Sequence, residues 1–273
     1  MKKYNFISGL PRSGSTLLSS ILNQNPKFTA GISDSLHMYT RSIIRNSDSA
    51  VGIGTLVDHD KRRNIIRGIF DTFYSDGNEI CFNTNRSWTA ETSLLKELFP
   101  NFKMIVMVRD VRWVLNSFEL LHQKNPITVK PLYVNTDFIS VYGRTHSLMG
   151  NMDNNGGFVV GPLNALKQSM YSRETDHIIY VDFTALTKNP ETTMRKIYEF
   201  LGEEYYDHDY ENVECSYDEY DKEAKINGLH TIRRKVEYKK AKRVIPDDLW
   251  MNFNNVNFWK EIDTSGLNWI HNQ

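Results

Sequence analysis

The sequence predicts an α/β fold, a parallel β-sheet flanked by helices. Three observations predict it: a strand, a glycine-containing turn and a helix fill the first 25 residues, a near-continuous apolar run at 103–108 lies between two helical patterns, and a third apolar strand at 177–181 precedes an amphipathic helix. Strands alternating with helices at this spacing argue for parallel pairing with helices on both faces.

Residues 4–8 read as a strand ending at Gly9, followed by the turn Gly9-Leu10-Pro11-Arg12-Ser13-Gly14. Residues 15–23 set Leu17, Leu18, Ile21 and Leu22 at helical spacing, and Pro26 stops the helix. Residues 91–99 carry Leu94, Leu95 and Leu98 on one helical face. The run KMIVMV at 103–108 is what a strand buried on both faces requires. Arg109-Asp110 stands at its carboxyl end, and 111–122 reads as the next helix. The helix at 190–201 closes at Gly202. All 273 residues are read as a single domain. Residues 125–161, with Tyr133, Phe138, Tyr142, Arg144 and His146, show little periodicity and are expected to run over the surface as an acceptor-binding insertion. The acidic, tyrosine-rich stretch 207–223 reads as a solvated connection, and 235–243 is basic.

Lysine plus arginine and aspartate plus glutamate both number 33, so net charge gives no reason to expect nucleic acid or an anionic membrane as partner. Any anion site must be built locally. Cys81 and Cys215 form no CxxC pair and read as two buried thiols, and no cluster of metal-ligand spacing is present, so no metal is expected. The apolar stretch near the N-terminus is too short for a signal peptide, and no run is long enough to span a bilayer. The expectation is a soluble, cytoplasmic protein.

GLPRSGST at 9–16, between a strand and a helix, can converge backbone N–H groups on a phosphate, with the helix dipole adding to the attraction. Gly9 and Gly14 keep the spacing of the NTPase loop GxxxxGK[ST], but Ser15 stands where that loop has lysine. The cation sits earlier, at Arg12, and the hydroxyls of Ser13, Ser15 and Thr16 supply further donors. Without the lysine that reaches the β- and γ-phosphates, triphosphate chemistry is disfavoured. Arg109 at a strand end, with Ser117 two helical turns later, can form a second phosphate site.

FISGLPRSGSTLLSSILNQNP together with MIVMVRDVRWVLNSF resembles the sulfotransferase family that uses 3′-phosphoadenosine 5′-phosphosulfate (PAPS), and IIYVDFTALTKNPETTMRKIYEFLG is similar to a strand and helix that follow in many members. The PRSGST form is closer to tyrosylprotein-type and bacterial or phage-like members than to the cytosolic type. The resemblance implies a P-loop-like fold and transfer of a sulfuryl group to a hydroxyl or amine, releasing adenosine 3′,5′-bisphosphate (PAP) without a metal. It implies that Gly9, Pro11, Arg12, Ser13, Gly14, Ser15 and Thr16 hold the 5′-phosphosulfate and that Arg109 and Ser117 hold the 3′-phosphate. A late basic loop closes over the cofactor in the family; here Gly228 permits its turn, and Arg233 and Lys235 are its candidate phosphate contacts.

Two positions depart from the family pattern. Tyrosylprotein-type members place a glutamate where this chain has Ser33, which leaves Asp34 and His37 as neighbouring candidates for the base. Similar sulfotransferases carry a leaving-group lysine where Thr84 stands, and Arg86 is the candidate substitute. Trp88 either stacks on the adenine or packs in the core. The acceptor is expected to be a small molecule, glycan or peptide. The competing readings are a nucleotide or small-molecule kinase on the same architecture and an inactive nucleotide-binding module.

Overall fold

The computed structural model describes residues 2–47, 57–127, 132–133, 139–150, 157–173, 175–215 and 217–271. In chain order the elements are β1 (Lys3–Gly9), α1 (Ser15–Leu22), β2 (Phe28–Ser33), α2 (Leu36–Ser47), α3 (His59–Phe73), β3 (Ile80–Thr84), α4 (Thr92–Leu98), β4 (Met104–Val108), α5 (Val111–Lys124), α6 (Val141–Met149), α7 (Val160–Ser172), β5 (Ile178–Asp182), α8 (Phe183–Lys188), α9 (Pro190–Leu201), α10 (Asp218–Glu223), α11 (Asp247–Asn252) and β6 (Trp269–Ile270). The strands form one six-stranded sheet in the order β2-β3-β1-β4-β5-β6. Every pairing is parallel.

Side-chain alternation builds a core on each face. In β4, Met104, Val106 and Val108 join one apolar cluster while Ile105 and Met107 join the other. Phe6 and Ile7 of β1 divide in the same way, as do Tyr180 and Val181 of β5. This is the period-2 geometry of a strand covered on both sides. β1 pairs with β3 on one side and β4 on the other, so the chain leaves it in both directions. Such a switch point opens a crevice at the carboxyl ends of the strands, where ligands of open α/β sheets bind.

The elements read from sequence at 4–8, 15–23, 91–99, 103–108, 111–122, 177–181 and 190–201 are all present, with ends shifted by up to two residues. β2, β3 and β6 were not legible. β3 carries polar Asn83 and Thr84 in its buried run, because tertiary partners satisfy them: Asn83 Oδ1 accepts from the Trp88 indole at 2.7 Å, and Thr84 Oγ1 donates to the Gly31 carbonyl at 2.7 Å.

The 125–161 stretch is not a plain surface excursion. It contains α6, on which Arg144 forks the Glu119 carboxylate of α5 through Nε at 2.8 Å and Nη2 at 2.7 Å, with side chains 9% and 6% exposed. Arg144 is therefore a clamp between helices, and buried Tyr133 packs near His122, their ring centroids 6.1 Å apart. Tyr142 is exposed and its hydroxyl donates to Asp248, His146 sits beside Phe253, and Phe138 lies outside the described residues. The acidic 207–223 stretch also departs from a solvated connection: it forms α10 and buries Asp221 to 1% exposure. No helix among the described residues is long and apolar enough to cross a membrane.

Removing one partner of a buried ion pair leaves the other uncompensated, which costs roughly 3–5 kcal/mol, whereas replacing both by apolar groups is often neutral. Arg144→Ala is therefore expected to lower the urea midpoint sharply, and the double variant Glu119→Leu, Arg144→Met to recover most of it. A double variant as unstable as the single one would show that the clamp is not what Arg144 contributes.

Candidate functional site

The turn after β1 is held close against β4. Gly9 adopts φ 111°, and the Leu10 amide donates to the Met107 carbonyl at 3.0 Å. A Cβ on Gly9 would overlap that carbonyl, so the close approach requires glycine. Arg12 occupies left-handed backbone at φ 57°, an unusual conformation for a residue with a side chain. The Ser13 hydroxyl donates to the Leu10 carbonyl, so this buried serine braces the turn from inside. Gly14 ends the turn at φ 98° and begins α1, whose first-turn amides have no helical acceptor.

A cavity of roughly 240 Å³ opens over this turn. Arg12, Gly14, Ser15 and Thr16 line it from the turn, Arg86 from the segment after β3, and Arg109 from the end of β4. Phe183, the first residue after β5, completes the floor. Its ring lies 4.3 Å beneath the Arg109 guanidinium, and a Cβ on Gly14 would come within 2.8 Å of the same ring. Gly14 thus makes room for the aromatic face that carries Arg109.

The three arginines are held by neutral groups. Arg12 Nε donates to Ser117 Oγ at 3.0 Å and its Nη1 donates to the Leu229 carbonyl. Arg109 Nη1 donates to the Arg12 carbonyl at 2.8 Å. The Arg86 guanidinium lies 4.6 Å over the Phe158 ring. Among the described residues none of the three has a carboxylate within 4.0 Å. Burial, and then repulsion from Arg12, push both Arg86 and Arg109 down to about 10. Burial likewise lowers Arg12, against a pull from Asp221. Half-buried positive charge without a directly paired carboxylate costs stability unless an anion enters.

The predicted residues divide by position. Arg12, Gly14, Ser15, Thr16, Arg86, Arg109, Arg233 and Lys235 line the cavity. Gly228 takes φ 83° and permits the turn into the loop that covers it. Lys235 is also paired with Glu211 at 2.7 Å on an exposed surface, a contact of small energy. Ser117 is tied to Arg12 rather than to Arg109. Gly9, Pro11 and Ser13 shape the turn from behind.

Asp34 and His37 do not line the cavity. Asp34 accepts from the Leu36 amide at 2.8 Å and from Asn83 Nδ2 at 2.6 Å, and burial pushes its carboxyl up to about 6 against those bonds. The His37 ring packs edge-on against Trp88 at 4.7 Å, with Nε2 3.5 Å from Glu91. Trp88 is fully buried and packs on Phe6, which excludes the stacking role on adenine. Thr84 spends its hydroxyl on Gly31, while Arg86, two residues on, faces the cavity. Sequence reasoning gave Phe183 no place in the site, and His230 none beyond its membership of the covering loop 228–235, yet both stand on the cavity wall. The position of Phe183, directly after an apolar strand, was the available signal for it.

The sequence profile of the sulfotransferase family matches residues 6–207. Protein-tyrosine sulfotransferase A of Caenorhabditis elegans is 27% identical over 205 residues, which cover 72% of this chain and 49% of that protein, so the chain spans about half the length of this relative. Sulfotransferase STF9 from Mycobacterium avium is similar in fold, with a TM-score of 0.54 at 13% identity over 96% of this chain and 77% of that one. The sulfotransferase domain from the curacin biosynthetic pathway matches with a TM-score of 0.50 at 15% identity over 76% of each chain. With a family match over residues 6–207, most of its length, the chain belongs to the sulfotransferase family.

Proposed function

We propose that this cavity binds PAPS and transfers its sulfuryl group to a hydroxyl or amine acceptor, releasing PAP. The observation that carries the reading is the convergence of Arg12, Arg86 and Arg109 on one cavity with, among the described residues, no carboxylate within 4.0 Å of any of the three guanidiniums; Glu237, also on the cavity wall, is paired with Lys239. An anionic donor with charge at two separated phosphates supplies what the cavity lacks. The α1 amides with Ser15 and Thr16 receive the 5′-phosphosulfate. Arg109, braced by Phe183, receives the 3′-phosphate. Ser15 in place of a Walker lysine argues against a triphosphate.

Sulfuryl transfer needs in-line placement and stabilisation of the charge that develops on the leaving phosphate. Arg12, fixed by Ser117 and Leu229, is placed for that charge. Arg86 lines the same cavity as Arg12, where a leaving-group cation is required. The tyrosine-sulfating relative favours a peptide tyrosine as acceptor.

Two measurements test this reading. Arg109→Ala is expected to weaken PAP by roughly 10–100-fold while AMP, which lacks the 3′-phosphate, loses little. Calorimetry showing equal losses would remove the 3′ contact. Arg86→Met is expected to lower kcat by roughly 10²–10³-fold. The same change deletes a half-buried charge with no carboxylate within 4.0 Å among the described residues, so the ligand-free variant is expected to melt above the wild type. A lower melting temperature with unchanged turnover would reverse both assignments.

A further inference from the structure

Asp221 on α10 is 1% exposed, and both of its oxygens serve one residue. The His230 backbone N–H donates to Oδ2 at 2.8 Å, and the ring Nδ1 lies 2.6 Å from Oδ1. A carboxylate only accepts, so Nδ1 carries the hydrogen and a neutral ring keeps its lone pair on Nε2. His230 lines the cavity with Arg12 and Arg86, and among the described residues no group is hydrogen-bonded to Nε2. The imidazole is thus oriented from behind by a buried carboxylate and open in front.

Its position along the cavity is also defined. Asp221 from α10, Arg86 from the segment after β3 and Arg12 from the turn after β1 act most on His230, the rings of Tyr217 and Tyr220 lie 6.2 and 5.4 Å away, and Arg109, Arg233, Lys235, Glu237 and Lys239 share the cavity wall with it. Arg12 donates to the carbonyl of Leu229, the residue before His230, which ties this part of the loop to the Arg12 end of the cavity. Burial holds the imidazole below its ordinary range, Asp221 pulls it back up, and the two arginines push the same way as burial. The ring is therefore neutral and able to accept a proton at neutral pH.

We propose that His230 is the general base for the acceptor and that Asp221 is its positioning residue. This rests on the sulfuryl-transfer reading above. Nε2 takes the proton of the acceptor O–H as the acceptor oxygen bonds to sulfur. The bond from sulfur to the bridging oxygen breaks, and its electron pair leaves on the 5′-phosphate of PAP. The imidazolium is paired with Asp221 until its proton passes to solvent. The role falls to the loop that covers the donor, whereas Asp34 and His37 stand off the cavity.

The test uses the full chain, radiolabelled PAPS, and two acceptor probes, para-nitrophenol and a synthetic tyrosyl peptide. His230→Ala is expected to lose roughly 10²–10⁴-fold in kcat/KM with PAP affinity little changed, and imidazole added to the buffer is expected to restore part of the rate. Asp221→Asn is expected to lower kcat with KM unchanged and to move the acid limb of the pH profile to lower pH, because the imidazolium loses its counter-charge. A purely structural clasp would move stability without moving that limb. Nitrogen NMR of the wild-type imidazole, which needs no variant to fold, is expected to show the Nδ1–H tautomer. Wild-type turnover in His230→Ala, an Nε2–H tautomer, or PAP affinity that falls in step with turnover would each overturn the proposal. A wild type that binds PAP but transfers to neither probe would count against the sulfuryl-transfer reading itself, and the base would fall with it.

Discussion

Three guanidiniums brought together with, among the described residues, no carboxylate within 4.0 Å of any of them are the constraint on which the site depends. Arg12, Arg86 and Arg109 come from the ends of three strands, and each is held by a carbonyl, a hydroxyl or an aromatic ring. A carboxylate in any of these places would have relieved the repulsion and stabilised the empty protein. It would also have closed the cavity to an anion. Leaving the charges without direct ion pairs costs the free protein some stability, which the anionic donor proposed above would offset by supplying the missing charge.

Holding such charges in place requires a rigid frame, and the parallel sheet supplies it. Gly9 lets the turn after β1 lie on the Met107 carbonyl, and Arg109 follows two residues after Met107, just past the end of β4. The turn and the arginine are therefore fixed by one strand pairing, β1 with β4, at the switch point of the sheet. Phe183 joins from β5 and ties Gly14 to Arg109. The loop carrying Leu229, His230 and Arg233 closes the cavity from the opposite side, and its attachment to Arg12 through the Leu229 carbonyl couples the cover to the turn after β1.

Much of this arrangement was legible in the residue order. β4 and β5 announced themselves because strands buried on both faces need continuous apolar runs, and β1 because it leads into a glycine turn. β3 did not, since Asn83 and Thr84 are satisfied by Trp88 and Gly31, partners that a linear pattern cannot display. Arg144 looked like a surface residue of an irregular stretch until α6 placed it against Glu119. Asp221, in the most acidic part of the chain, looked like a solvated charge for the same reason.

Local order by itself determined the turn after β1, because its form resides in backbone geometry and contiguous residues: two glycines at fixed spacing, an arginine between them and a helix start. It also determined that Arg109 follows a buried strand. The tertiary structure alone decided what meets across the cavity. Arg86 faces inward while Thr84 is spent on the sheet, Asp34 and His37 are turned into the scaffold, and His230, nearly two hundred residues from Asp34, takes the open wall. Proton transfer and charge stabilisation depend on distances of a few ångströms between remote segments, and only the folded chain sets those distances.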